Sequence, residues 1–170
     1  ERQQVILLGD SAGGNLAMSA LERWCGDGMP NEAIKGLALL SPWCDLREEA
    51  DSIEANAVAH SPFSHEDSLD YSAQYLAGHS ATDPLASPLL SASFNEWPEV
   101  YLEWALDEFL APDIQALKRK LDDSKVHVTS RTENQAVHGW QLLPDLLPEA
   151  RRSSLALGEW IRRRLGLQTA

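Results

Sequence analysis

The chain has 170 residues, 44% of them hydrophobic and 24% charged, which is typical of one globular domain and not of a disordered segment. Its net charge of −12 argues against nucleic acid as a partner, because phosphate binding requires clustered Lys and Arg. No apolar run approaches the ~18 residues of a membrane span, and no secretory signal is visible, which favours a cytoplasmic location.

Short apolar runs alternate with segments of helical periodicity along the chain. Runs that predict buried strands cover residues 5–8, 34–40, 100–106 and 126–129. Segments with helical spacing lie at 16–24, 67–76, 114–121 and 155–165. This alternation predicts an α/β fold, with a parallel sheet and helices on both of its faces. Residues 45–98 are rich in Ala, Ser, Asp, His and Pro and are expected to form an excursion away from the sheet.

Two cysteines, Cys25 and Cys44, do not make a disulfide framework or a zinc site. We expect both to be unpaired and partly buried thiols. No metal ion and no cofactor is predicted for this chain.

A glycine-rich turn joins the first strand to the first helix, and residues 9–15 read GDSAGGN. A dinucleotide-binding turn needs G-x-G-x-x-G, which glycines at positions 9, 13 and 14 do not provide. A P-loop would need Lys and Ser or Thr where Asn15 and Leu16 stand. The pattern G-x-S-x-G, in contrast, is filled by residues 9–13.

The G-x-S-x-G pattern predicts a nucleophile at Ser11. A tight strand-to-helix turn would hold this serine in a strained backbone conformation, with its hydroxyl exposed at the carboxyl end of the sheet. The adjacent helix N-terminus favours negative charge, and the Ala12 N–H would point at a developing oxyanion.

Several segments, in the same order, resemble the hormone-sensitive-lipase-like branch of the α/β-hydrolase fold. They are GDSAGGNLA at 9–17, LLSPWCDL at 39–46, DPLASPLL at 83–90 and HGWQLLPDLLPEA at 138–150. The resemblance covers nearly the whole chain. It implies a serine carboxylesterase that cleaves esters with short acyl chains through an acyl-enzyme on Ser11.

The family order of nucleophile, acid and base places the base at His138. The histidines at positions 60, 65, 79 and 127 are expected to have surface or packing roles. The acid should follow the third strand, where Asp107 and Glu108 stand side by side. The family's Asp-Pro-Leu-x-Asp segment aligned on residues 108–113 puts Glu108 in the acid's place, whereas a shift by one residue puts Asp107 there.

Substrate contacts are expected from Asp10, beside the nucleophile, and from aromatic residues of the later chain. Trp43 and Trp140 are the first candidates, and Phe63 and Trp97 lie in the excursion of residues 45–98, which we expect to contribute to the substrate pocket. For each aromatic residue, ordinary core packing is the alternative.

Other parts of the family pattern are not found in these 170 residues. No His-Gly-Gly stretch supplies further oxyanion donors, and only four residues precede Val5. We therefore expect one catalytic domain spanning residues 1–170, truncated at its N-terminus and equivalent to the carboxyl-terminal half of an α/β hydrolase. The first strand would then expose an apolar edge, favouring a homodimer or a companion N-terminal fragment beside the small-molecule ester substrate.

Two alternatives to an esterase remain open at the level of sequence. The chain could be a non-catalytic fragment or interaction module that is inactive without the missing half. It could also keep the same fold and act on an amide bond or deacetylate a small metabolite.

Overall fold

The structure is a computed structural model that describes residues 4–29, 31–47, 63 and 65–167. A four-stranded parallel sheet forms its centre, with the strands in the order β1-β2-β3-β4. These strands are β1 Val5–Asp10, β2 Ile34–Leu40, β3 Val100–Ala105 and β4 Val128–Glu133. All four strands therefore run in one direction. Their carboxyl ends meet at one rim of the sheet, where the loops that follow them come together.

Four α-helices connect or flank the strands in the described part of the chain. They are α1 Ser11–Gly26, α2 His65–Leu76, α3 Ala111–Asp123 and α4 Pro148–Arg164. Short 3₁₀ turns cover Asn31–Ala33, Pro88–Leu90 and Trp140–Leu142.

The two central strands, β2 and β3, are buried, and helices pack on both faces of the sheet, as predicted for an α/β fold. On one face, α1 and α3 pack against alternate residues of the central strands; this core includes Met18, Leu21, Leu37, Leu39, Leu102, Ile114 and Leu117. On the other face, Trp160 of α4 packs against Ala38, Leu40 and Tyr101. Gly36 leaves room for the indole, since a Cβ at this position would lie 2.4 Å from Cη2 of Trp160.

Two expectations from sequence are corrected by the structure. The last strand begins at Val128 and continues to Glu133, beyond the predicted end at Thr129, because a polar strand can lie at the edge of a sheet without an apolar pattern. The helical spacing over 155–165 places Leu155 on the apolar face of the last helix, but this residue is 64% exposed and does not join Trp160 in the core. Residues two apart lie on opposite sides of a helix, so Leu155 and the partly buried Leu157 cannot share a face.

Strand β1 lies at one edge of the sheet. Its Val5 and Leu8 are 41% and 49% exposed, and Leu16 on the following helix is 54% exposed. Within the described ranges, no helix combines the length and the apolar character needed to cross a bilayer.

Candidate active site

The turn between β1 and α1 holds Ser11 in a left-handed backbone conformation, with a φ of 50°. Such a conformation is rare for residues other than glycine and costs about 1–3 kcal/mol. Only a glycine fits at position 9, since a Cβ there would lie 2.1 Å from the carbonyl oxygen of Gly13. The turn is fixed from outside as well, because the Trp43 N–H donates to the carbonyl oxygen of Ser11 at 2.9 Å.

Asn15, one turn into α1, connects this helix to two loops. Its Nδ2 donates to the carbonyl oxygens of Trp43 at 3.0 Å and Ala86 at 2.9 Å. The helix that begins at Ser11 is therefore held against the loop that follows β2 and against the segment that precedes β3.

His138 reaches the serine from the loop that follows β4. Its Nε2 lies 2.8 Å from Oγ of Ser11, although 127 residues separate the two in sequence. The histidine side chain is 5% exposed, and its ring packs edge-on against Phe109 with ring centroids 4.9 Å apart. A hydrogen bond between an imidazole and a hydroxyl is the arrangement that lets a base remove the proton of a serine.

Of the two candidate acids, the structure brings Glu108 to the imidazole. Oε2 of Glu108 lies 3.6 Å from Nδ1 of His138, and the residue is 2% exposed. Asp107 instead accepts a hydrogen bond from the Gln135 backbone N–H at 3.1 Å. The side chains of Ser11, His138 and Glu108 thus lie next to one another in one row.

A buried thiol lies near this row. Burial raises the pKa of Cys44 well above its usual value of 9.0, and the carboxylates of Asp113, Asp45 and Glu108 raise it further. The thiol is therefore neutral at physiological pH and is not a competing nucleophile. No disulfide joins it to Cys25, both residues lying in the described part of the chain.

A pocket of about 120 Å³ opens beside the turn that carries Ser11. One side of it comes from α1 and the turn, and the other from the loop after β2 and from α2, within the excursion. The lining residues are Ala12, Asn15, Leu16, Trp43, Leu46, Tyr71, Ser72 and Tyr75.

A family model of the alpha/beta hydrolase fold matches residues 1–142 of this chain. The chain belongs to the α/β-hydrolase family.

The relatives of this α/β hydrolase include proteins named as hydrolases and esterases. An acetyl-hydrolase from Streptomyces hygroscopicus is 30% identical over 165 residues, a match that covers 96% of this chain and 54% of that protein. An esterase from the bacterial hormone-sensitive lipase family, known from its crystal structure, is 30% identical with a TM-score of 0.86. The match covers 96% of this chain and 54% of that esterase chain.

A third relative is a crystal structure of EstE5 soaked with p-nitrophenyl butyrate. It is 27% identical, with a TM-score of 0.85, and the match covers 96% of this chain and 54% of that one. The chain therefore spans about half the length of these relatives.

Of the four aromatic residues expected to contact a substrate, two lie near Ser11 or His138 and two are buried. Trp43 lines the pocket, and the ring of Phe63 lies 6.5 Å from the His138 ring, centroid to centroid. Trp140 is 1% exposed and packs in a cluster of small side chains, as the core-packing alternative expects. Trp97 is also buried, and its Nε1 donates to Glu22.

Asp10 lies beside Ser11, and the histidines other than His138 whose side chains the structure describes lie on the surface. Asp10 precedes Ser11 as the N-cap residue of α1, without a side-chain capping bond. His127 is exposed and pairs with Glu99, and exposed His79 follows the end of α2. His60 and the side chain of His65 lie outside the described residues.

Sequence reasoning assigned no role to Ser41 and Gln141, although both touch the site. Ser41 donates to Glu108, and Gln141 donates to Ser41. The sequence signal that could have found Ser41 is its position directly after β2, the strand between β1 and β3, at the rim of the sheet where Ser11 lies.

Proposed function

We propose that this α/β hydrolase cleaves short-chain carboxylic esters through an acyl-enzyme on Ser11. The proposal depends above all on the 2.8 Å distance between Nε2 of His138 and Oγ of Ser11. The names of the relatives, an acetyl-hydrolase and esterases, support an ester or acetyl substrate.

In the first half of the reaction, Oγ of Ser11 attacks the ester carbonyl carbon while Nε2 of His138 accepts its proton. The carbonyl oxygen becomes an oxyanion, for which the Ala12 N–H serves as one donor. Collapse of this intermediate breaks the bond to the alcohol oxygen, and His138 returns the proton to the departing alcohol. An acyl group remains on Ser11.

In the second half, His138 takes a proton from water, and the resulting hydroxide attacks the acyl carbon. Collapse releases the carboxylic acid and returns the proton to Ser11. Glu108 keeps Nδ1 of His138 as the protonated nitrogen in both halves and stabilises the imidazolium that forms. Asp107, which accepts a hydrogen bond from the Gln135 N–H, takes no part in the proposed reaction.

The pocket beside Ala12 is the proposed site for the short acyl or alcohol group. Its small volume and its apolar wall of Leu16, Leu46 and Tyr75 suit a few carbon atoms. Trp43 from the loop after β2 and Tyr71 from α2 complete it, so residues 45–98 contribute a wall. Asp10 lies next to Ser11 and is proposed to contact the substrate's polar end.

Hydrolysis of p-nitrophenyl butyrate, with fluorophosphonate labelling in parallel, tests the proposal on the full polypeptide that the gene encodes. We expect Ser11→Ala to abolish both turnover and labelling, because it removes the nucleophile. Ser19→Ala is the matched control, since Ser19 lies on the same helix and its hydroxyl, within the part of the chain that the structure describes, bonds to Asn15 of α1 and to the Leu85 carbonyl and not to His138. Full esterase activity in a folded Ser11→Ala variant contradicts the mechanism.

The same assay separates the two alternatives. A folded wild-type protein that neither turns over the ester nor reacts with the fluorophosphonate favours a non-catalytic interaction module. Faster turnover of a matched amide than of the ester favours an amidase or deacetylase on the same residues.

A further inference from the structure

The carboxylate of Glu108 is held by a side chain outside the row formed by Ser11, His138 and Glu108. The Ser41 hydroxyl donates to Oε2 of Glu108 at 2.8 Å, in a bond that is buried on both sides. Oε2 is also the oxygen that faces Nδ1 of His138, at 3.6 Å. One oxygen of the carboxylate therefore receives both contacts.

Ser41 itself is held rigidly by the sheet. It follows the last residue of β2 with a φ of 45°, in the left-handed region that is unfavourable for a serine. Its backbone N–H donates to the carbonyl oxygen of Glu103, near the end of β3, at 2.7 Å. An unfavourable conformation that the surrounding strands impose points to a constraint on the side chain.

Gln141 sets the direction of the Ser41 hydroxyl. Its Nε2 lies 3.1 Å from Oγ of Ser41 and 3.5 Å from the carbonyl oxygen of Glu103. A carbonyl oxygen only accepts, so the amide NH₂ must face this side. Oγ of Ser41 accepts one of these protons, and its own single proton is left for Glu108.

The resulting chain of donors runs from Gln141 through Ser41 to Glu108. Gln141 stands three residues after His138 in the same loop. These hydrogen bonds therefore connect the loop that carries His138 to the carboxylate of Glu108. Oε1 of Glu108 and Nδ1 of His138 have no hydrogen-bond partner among the described residues. The orientation of the carboxylate therefore depends on the hydroxyl of Ser41.

We propose that Ser41 and Gln141 are positioning residues that keep the carboxylate of Glu108 aimed at Nδ1 of His138. The inference rests on the proposed function of the site. Loss of the hydroxyl leaves a buried carboxylate free to rotate away from the ring, and the imidazole is then less often in the tautomer that accepts the proton of Ser11.

Ser41→Ala and Ser41→Gly in the full polypeptide test the role of the hydroxyl. A hydrogen bond to a charged group supports a decrease in kcat of about 10- to 100-fold, with KM for p-nitrophenyl butyrate within about twofold of wild type. Fluorophosphonate labelling of Ser11 should slow by a similar factor. Glycine tolerates a φ of 45° and removes the same hydroxyl, so this variant remains informative if the alanine variant does not fold.

Gln141→Met tests whether Gln141 directs the proton of the Ser41 hydroxyl towards Glu108. It keeps the length of the side chain and removes the donor, so Ser41 is free to turn its proton elsewhere. We expect a smaller loss in kcat, about 3- to 10-fold, because the hydroxyl itself remains.

Ser153→Ala is the matched control. Ser153, on α4, is also a buried serine that donates to a buried carboxylate, with Oγ 2.6 Å from Oε2 of Glu103 on β3, but this carboxylate is not the one that faces the imidazole. This variant should lose comparable stability in urea unfolding and keep the wild-type kcat.

The outcomes separate the two proposals. Wild-type kcat and labelling in folded Ser41→Ala or Ser41→Gly overturn the positioning role. An equal loss of kcat in Ser153→Ala also overturns it, because the effect then reflects general loosening of the fold. A folded wild-type protein without turnover or labelling removes the proposed function itself.

Discussion

At the scale of single residues, the proposed active site depends on which of two neighbouring carboxylates is buried. Glu108 is 2% exposed and faces His138, whereas Asp107 faces the backbone of Gln135. A buried charge is costly unless it is paired, so the position of Glu108 requires the imidazole and the hydroxyl of Ser41.

Glu108→Gln should lower kcat by about 10²- to 10⁴-fold, because a neutral amide no longer stabilises the imidazolium or selects its tautomer. Asp107→Asn should stay within about threefold of wild type, since surface changes away from the reacting atoms have small effects. Steady-state kinetics on the two purified variants provides the comparison. Equal and mild losses in both contradict the assignment of either residue as the acid.

The thiol of Cys44 gives a prediction for alkaline pH. Its pKa is raised in the folded chain, so the native state keeps a proton that the unfolded state loses above pH 9.0. The free energy of unfolding should therefore be unaffected by this group below pH 9 and fall as the pH rises above 9, by up to about 1.4 kcal/mol per pH unit.

Cys44→Ala should flatten this decline in urea unfolding curves measured between pH 8 and pH 10. The comparison uses the slope with pH, since loss of the buried side chain lowers stability at every pH. Parallel curves for wild type and variant would show that the thiol does not retain its proton.

At the scale of secondary structure, the turn between β1 and α1 determines the position of Ser11, the proposed nucleophile. A Cβ on Gly14 would lie 2.7 Å from Cβ of Pro42, in the loop after β2. The first turn of α1 and this loop can therefore approach so closely only because position 14 has no side chain.

Gly14→Ala should destabilise the protein by about 1–3 kcal/mol, because the extra methyl group forces the helix away from Pro42. Gly26→Ala, at the end of the same helix, is the control: a Cβ there meets nothing within 4 Å. Alanine favours helix, so this variant should be neutral or slightly stabilised. Chemical unfolding measures both, and similar losses at the two positions would refute the steric explanation.

At the scale of the whole molecule, the edge strand β1 leaves apolar side chains exposed. Its Val5 and Leu8 are substantially exposed, and the relatives are nearly twice as long as the matched region. An apolar edge strand offers unpaired backbone groups to another strand. We propose that further polypeptide covers it, either a companion N-terminal segment or a second copy.

The 170-residue chain by itself should therefore be a feeble esterase that self-associates. A single missing oxyanion donor lowers a rate by about 10²- to 10³-fold, and the Ala12 N–H would act alone. Light scattering after size-exclusion chromatography, with an ester assay on the same fractions, measures both properties. Leu8→Lys should reduce association through its charge, and robust turnover by a monomeric 170-residue chain would disprove the expectation.

Local patterns in the sequence were sufficient for the strand and helix order, for the parallel sheet and for the G-x-S-x-G turn. Apolar runs and helical spacing are properties of short segments, and strand β2 was predicted with its observed ends. The fourth strand was predicted at 126–129, but its true bounds, Val128–Glu133, and the exposure of Leu155 were not, because the polar half of an edge strand has no apolar pattern and leucines two apart on a helix do not share a face.

Only the tertiary structure shows which of Asp107 and Glu108 lies near His138, that Trp140 is buried, and what Ser41 and Gln141 contact. Each depends on which loops meet at the carboxyl ends of the strands, and those loops are separated by up to 127 residues in the chain. Two adjacent carboxylates look alike in a sequence, but only one direction from the end of β3 leads to the imidazole.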